Sequence, residues 1–396
     1  MMLIRVAFTS PYWSLYDLFV SLFRKGATEE LRGLIRKKTL SKEVMLFDSG
    51  TSAIYAALKT LKLKEGNLVA VPSFICRAVP RAIVAAGCIP FFIDIDDEYG
   101  VDYNSLKKAI KTRKIKAAII VYQYGKVPSN TKKIISLCRQ NNIKVIEDAA
   151  VTGLYETSFG LTGTLGDVSI ISFNIGKLIT GLGGGALILN DPKLVSRDII
   201  VNTSIQPMLK KLNTIVYFLF RIKYKKMLFP FYYMLKKIRG AELKGDSDLC
   251  RFDEGLSETV TPYGIANFQA HCAYVVMNKQ KQILNDCKIT AEAYTKLLDS
   301  KKVNVLPLVD NTNAKVVIRV QNRDRLQQEL LKKGIETQWT FYPCHKQRQF
   351  IGFPKTKMPR TDRVWKQTLM MPSGYNVPHN QIRSIAEVVN NEASKN

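Results

Sequence analysis

Three groups of residues have types and spacings that could do chemistry. The first is Lys177, in SFNIGKLITGLGGGALIL (172–189), between an apolar run ending near Ser172 and a cluster of glycines. The second is Gly50, Thr51 and Ser52, at the start of the apolar-faced helical pattern SGTSAIYAALKTL (49–61). The third is Asp148, the acid that ends the apolar run KVIED. Singly, each has an ordinary reading: a solvated loop lysine, a helix cap, an acid capping the next segment. Together they supply what pyridoxal phosphate needs. A helix start offers N–H groups and a positive dipole end to a phosphate, and the hydroxyls add donors. A lysine forms a Schiff base with an aldehyde when desolvation or nearby positive charge keeps its amine nucleophilic. A carboxylate paired with the pyridine nitrogen keeps the ring protonated and therefore an electron sink.

The elements that must position these groups can be read from periodicity. Residues 67–73, 89–96, 116–124, 143–150, 167–174 and 185–191 read as strands, with helices at 78–87 and 129–142. Buried apolar strands alternating with amphipathic helices predict an α/β fold, a mostly parallel central sheet with helices on both faces. In such a sheet ligands bind at the carboxyl ends of the strands, where all three groups fall. After residue 250 the pattern predicts a helix over 262–298, strands near 302–307 and 314–320, and helices at 323–333 and 380–391. The expected division is a large cofactor-binding domain over 1–245 and a smaller C-terminal α/β domain over 246–396.

Composition narrows the setting. The chain has 396 residues, 46% hydrophobic, and a net charge of +26, which predicts an anionic partner or substrate. The seven cysteines form no CxxC pair, which argues against a disulfide framework or zinc site and for a reducing compartment. With three scattered histidines, no metal is expected. No signal peptide is read at the N-terminus, and no nucleic-acid module is found, so nucleic acid is not an expected partner. Residues 209–239 carry nine basic residues and no acidic one among apolar and aromatic blocks too short to span a bilayer. That pattern suits either a segment lying on an anionic membrane or a core or dimer-contact pair of helices with basic flanks. The aromatic stretch at 12–25 raises the same question.

From about residue 44 to 392 the sequence resembles the DegT/DnrJ/EryC1/StrS family of sugar aminotransferases, of the aspartate aminotransferase fold (fold type I). The resemblance is carried by GTSAIYAAL (50–58), VPSFICRAVPRAIVAAGCIPFFIDID (71–96), YGKVPSNTKKI (124–134), VIEDAA (145–150) and GDVSIISFNIGKLITGLGGGAL (166–187). GIETQWTFYPCHKQ (334–347) and LMMPSGYNV (369–377) extend it. It implies that Lys177 is the Schiff-base lysine and proton shuttle, and that Asp148 binds the pyridine nitrogen. Gly50, Thr51 and Ser52 would form the phosphate site, with Ser172 reaching it from the strand before the lysine. His345 would face the substrate.

The chain also departs from the family pattern. Val151 stands where the family usually has Gln or His, and Cys76 where an aromatic normally stacks on the ring. The asparagine that reaches the partner subunit's phosphate falls at Ser257, the nearby basic residue at Thr259, and the His-Tyr pair at Thr340–Phe341. The resemblance implies a homodimer that moves an amino group from a donor such as glutamate to a nucleotide-linked keto sugar, for surface polysaccharide or amino-sugar synthesis. The implied location is cytoplasmic, with the basic insert offering peripheral contact at the inner membrane face. Two other readings stand beside it. One is a dehydratase using the same cofactor, which Lys177 argues against because histidine replaces the lysine in such relatives. The other is an inactive, membrane-associated scaffold or regulator.

Overall fold

Short runs of branched apolar residues form the strands, and polar residues with helix-capping geometry separate them. The computed structural model describes residues 6, 8, 12–41, 43–194, 259–374 and 377–395. The insert at 209–239 and Ser257 lie outside these residues. The first part of the chain contains α1 (Leu15–Phe23), α2 (Ala27–Thr39), β1 (Glu43–Phe47), α3 (Gly50–Thr60), β2 (Leu68–Pro72), α4 (Ala78–Ala85), β3 (Ile89–Ile93) and α5 (Tyr103–Thr112). It continues with β4 (Ile115–Val121), α6 (Thr131–Gln140), β5 (Lys144–Asp148), a short hairpin of β6 (Glu156–Thr157) and β7 (Gly160–Leu161), then β8 (Val168–Ser172) and β9 (Gly185–Leu189). The later part contains α7 (Asn267–Asn278), α8 (Gln280–Leu297), β10 (Asn304–Val305), β11 (Val316–Arg319), α9 (Arg323–Lys332), α10 (Pro359–Gln367), β12 (Thr368–Met371) and α11 (His379–Ala393).

Seven strands form the main sheet in the order β1-β9-β8-β5-β4-β2-β3. Neighbours from β8 to β3 pair in parallel, and β9 runs antiparallel to both β1 and β8. The sheet is therefore mostly parallel with one reversed strand. Helices cover both faces, and successive strand residues feed opposite cores. Ala117, Ile119 and Val121 of β4 face α3 and α4, whereas Ala118 and Ile120 face α5 and α6. At the β9 end, Ala186 and Ile188 pack with Leu31 and Ile35 of α2 and with Ala270, Ala273 and Val276 of α7. A second sheet, β10-β11-β12, is antiparallel and packs on α8, α9 and α11.

The helix expected over 262–298 is two helices meeting at Lys279, whose φ of −86° and ψ of 1° interrupt the run. The Lys279 ammonium pairs with Asp17 at 3.2 Å, and the Gln280 amide turns inward to donate to Leu154 O at 2.6 Å. Those contacts let α7 serve the large sheet and α8 the small one. Many contacts cross the 245/246 line: α7 packs on α1 and α2, Val6 pairs with Ile335, and the Tyr99 hydroxyl meets the Thr368 hydroxyl at 2.9 Å. Strands β1 and β12 and helix α5 are additional to the elements expected from the sequence, and so are helices α2 and α10. Both are dominated by charged residues and bury few side chains: Ala27, Leu31 and Ile35 in one, Thr361 and Val364 in the other.

Candidate active site

β1, β5 and β8 end on the same edge of the sheet, and the candidate residues follow those ends. Ser172 closes β8 and pairs directly with Gly185 of β9, so Lys177 sits on the connection between two neighbouring strands. That connection is held by its own backbone. Phe173 N–H donates to Gly184 O at 2.9 Å and Gly181 N–H to Phe173 O at 2.7 Å. The Thr180 hydroxyl donates to Lys177 O at 2.8 Å.

The glycines around it permit close approach. A Cβ on Gly181 would come within 2.8 Å of Gln269 O, and one on Gly185 within 2.8 Å of the Gly50 N and Cα atoms. Gly50 in turn faces Ser172, whose Cβ and Oγ would lie 3.0 Å from a Cβ at position 50. The start of α3 is thus pressed against the end of β8, and a side chain at Gly50 would fill the space between them. Ser49 caps α3 by accepting from Ser52 N–H at 3.1 Å. The Ser52 hydroxyl donates to Asp48 Oδ1 at 2.7 Å. Thr51 lies half-buried on the same turn.

Adjacent acids at the end of β5 have different surroundings. Glu147 is wrapped by donors: Gly163 N, Leu165 N, Gly166 N and the Ser169 hydroxyl, at 2.7 to 3.2 Å. Asp148 is 5% exposed and accepts from Ala150 N–H at 3.0 Å. Burial pushes the Asp148 carboxyl above its ordinary value, and the positive charge of Lys177 pulls it back. The structure therefore brings together Gly50, Thr51, Ser52 and Ser172 on one side, and places Asp148 within the field of Lys177 on the other.

Val151 follows on the turn after β5, half-buried. Cys76, a thiol in no disulfide, lies half-buried between β2 and α4. His345 is 9% exposed and has a partner at each ring nitrogen. Nδ1 is hydrogen-bonded to the Ser73 hydroxyl at 2.6 Å, and Nε2 stands 3.2 Å from Asp362 Oδ1. Burial lowers the ring's pKa, against the pull of Asp362. His345 thus fastens the segment after β2 that carries Cys76. Sequence reading passed over two contributors, Asp48 and Ser73. Both stand directly beside motifs that were read, FDSGTS and VPSF, and only their hydrogen bonds single them out.

A seven-stranded sheet with one reversed strand, entered from a lysine-bearing connection, and a small C-terminal sheet define the fold type I class of pyridoxal phosphate-dependent transferases. The sequence model of the DegT/DnrJ/EryC1/StrS aminotransferase family matches residues 25–211 and 251–390, and the chain belongs to that family. Pyridoxal phosphate is the family's cofactor. Over 354 residues the chain is 24% identical to the dTDP-4-dehydro-2,3,6-trideoxy-D-glucose 4-aminotransferase of Saccharopolyspora spinosa, covering 87% of this chain and 83% of that one. Over 150 residues it is 35% identical to GDP-perosamine synthase of Escherichia coli O157:H7; this match spans 38% of this chain and 41% of the synthase. The fold is also that of Helicobacter pylori PseC, an aminotransferase involved in the biosynthesis of pseudoaminic acid. That likeness has a TM-score of 0.75 at 18% identity and covers 99% of this chain and 100% of the other.

Proposed function

We propose that the protein transfers an amino group from an amino-acid donor, glutamate in the first instance, to a keto sugar carried on a nucleotide. The observation that carries this reading is the placement of Lys177, on the connection leaving β8, within the field of buried Asp148 at the end of β5. The donor set fits the cofactor. The start of α3, the hydroxyls of Thr51 and Ser52 and that of Ser172 would hold the phosphate, in the space that Gly50 keeps open. Asp148 would pair with the pyridine nitrogen, where its burial would strengthen the attraction for a protonated ring. Val151 and Cys76 would line the ring with less polar or aromatic contact than the family usually gives. His345 acts by fixing the segment that bears Cys76, at the substrate's edge.

Bound there, the cofactor supplies an aldehyde and an electron-withdrawing ring. Lys177 would supply the amine that holds that aldehyde, and, when free, would take a proton from the donor's α-carbon and return one to the sugar carbon that receives nitrogen. The basic composition favours a diphosphate-bearing substrate. A lysine at 177, not a histidine, favours amino transfer over dehydration.

The test is the visible absorbance of the purified protein, before and after glutamate. Wild type is expected to show bound-cofactor absorbance that glutamate bleaches, with release of 2-oxoglutarate. Lys177→Ala is expected to lose that absorbance signature and the release. An identical spectrum in wild type and Lys177→Ala refutes the assignment of the lysine. A wild type that binds cofactor but ignores glutamate points to the inactive scaffold.

A further inference from the structure

Asp48 stands where three parts of the site meet. It follows β1 and precedes Ser49, the residue that caps α3. Its backbone is tied on both sides. The Asp48 N–H donates to Tyr263 O at 2.9 Å, and its carbonyl accepts at 2.8 Å from Gly184 N–H, on the connection that carries Lys177. Ser49 forms an isolated bridge with the same glycine. The Asp48 carboxylate is therefore held at the start of α3, among the residues of the phosphate site.

The hydroxyls next to it have a direction. A serine hydroxyl has one proton to give, and a carboxylate only accepts. The 2.7 Å contact between the Ser52 hydroxyl and Asp48 Oδ1 therefore uses the Ser52 proton. The Ser49 and Ser52 hydroxyl oxygens are 2.9 Å apart, and with the Ser52 proton on Asp48, Ser49 is the donor of that contact. The protons run from Ser49 to Ser52 to Asp48 and end on the carboxylate. Ser52 N–H is used as well, on Ser49 Oγ at 3.1 Å. Ser52 thus has no free donor as it stands, and its hydroxyl can serve a phosphate only by leaving Asp48. An asparagine could accept from Ser52 without a charge, or donate to it and turn the chain of protons round. A carboxylate instead sets a like charge beside an anion site, half-buried where water screens it less.

We propose that Asp48 is a positioning residue that competes with the cofactor's phosphate for the Ser52 proton, which keeps the phosphate loosely held and the cofactor exchangeable. The proposal rests on the amino-transfer reading and deepens it at the phosphate site. The experiment is a double-mutant cycle on cofactor affinity. Full-length wild type, Asp48→Asn, Ser52→Ala and the double variant, each freed of cofactor by dialysis, are titrated with pyridoxal phosphate. Pyridoxal, which has the ring and aldehyde without the phosphate, is titrated separately. Bound-cofactor absorbance reports both.

Asp48→Asn is expected to bind pyridoxal phosphate about tenfold more tightly than wild type, with its affinity for pyridoxal unchanged. Adding Ser52→Ala should remove most of that gain. Unchanged or weaker binding of pyridoxal phosphate by Asp48→Asn overturns the proposal. So does a gain that survives in the double variant, which would be charge acting without Ser52, or a gain shared equally by pyridoxal. A purely structural role for Asp48 predicts weaker binding of both compounds. If Asp48→Asn fails to fold, Asp48→Ala provides the same comparison. Wild type that takes up no pyridoxal phosphate overturns the amino-transfer reading and this proposal together, whereas wild-type uptake with no change in Asp48→Asn overturns the role of Asp48 alone.

Discussion

Glu147 and Asp148 are neighbours in sequence, both carboxylates and both buried, yet the alternation of the strand gives them separate work. Glu147 points to backbone donors and ties the turn before β8 to the end of β5. Asp148 is left facing a lysine. Exchanging their substitutions should expose the difference. Glu147→Ala is expected to lower stability by about 3 kcal/mol, because it strands several buried donors, and urea unfolding measures the loss. Asp148→Asn should unfold close to wild type but slow the glutamate half-reaction by about a hundredfold or more, read in single-turnover absorbance. Equal slowing in a well-folded Glu147→Ala would contradict this division.

Lys315 gives a prediction in pH. Its folded-state pKa is depressed to about 8 from 10.5, so between those values the unfolded chain holds more protons. Its contribution to stability must therefore rise as pH increases through that window. The urea midpoint of wild type relative to Lys315→Met should climb from pH 8 towards 10.5. A flat difference would mean that Lys315 is hydrated.

At the scale of elements, two glycines should respond with opposite sign to the same change. Gly185→Ala forces a methyl group to within 2.8 Å of the Gly50 backbone, pushing β9 away from the start of α3. A loss of about 1–3 kcal/mol is expected, together with weaker cofactor retention on dialysis. Gly33 lies exposed within α2 with nothing near its would-be Cβ, so Gly33→Ala should gain about 0.5–1 kcal/mol. Thermal unfolding of the two variants provides the check.

The central strands were legible in the sequence because their apolar runs are buried on both sides and bounded by turn residues. The lysine connection was legible because serine, lysine and glycines sit at fixed offsets around it. Helices α2 and α10 were not, because each buries only two or three side chains among charged neighbours and no apolar run marks it. The break at Lys279 was hidden as well. No glycine or proline marks it, and its causes are contacts to Asp17 and Leu154, more than a hundred residues away in sequence.

For the whole molecule, the net charge of +26 is the dominant feature. Among the described residues no helix is long and apolar enough to cross a membrane. Helix α1 exposes Tyr16, Phe19, Leu22 and Phe23. If the chain works on a membrane surface, it should float with vesicles containing anionic lipid at low salt and release as salt rises. Deleting 209–239 should abolish flotation; flotation unaffected by the deletion would remove that segment from the explanation. A homodimer is expected in light scattering at micromolar concentration.

The pairing of Val6 with Ile335 orders events in time. Phe8 N–H bonds to Glu336, 328 residues along the chain. A ribosome makes Val6 and Phe8 more than three hundred residues before their partners, so this stretch waits while all of that chain is made. Contacts so distant in sequence form late and slowly. Val6 and Phe8 thus act as a latch, closing over the later sheet only when the residues between them have been made.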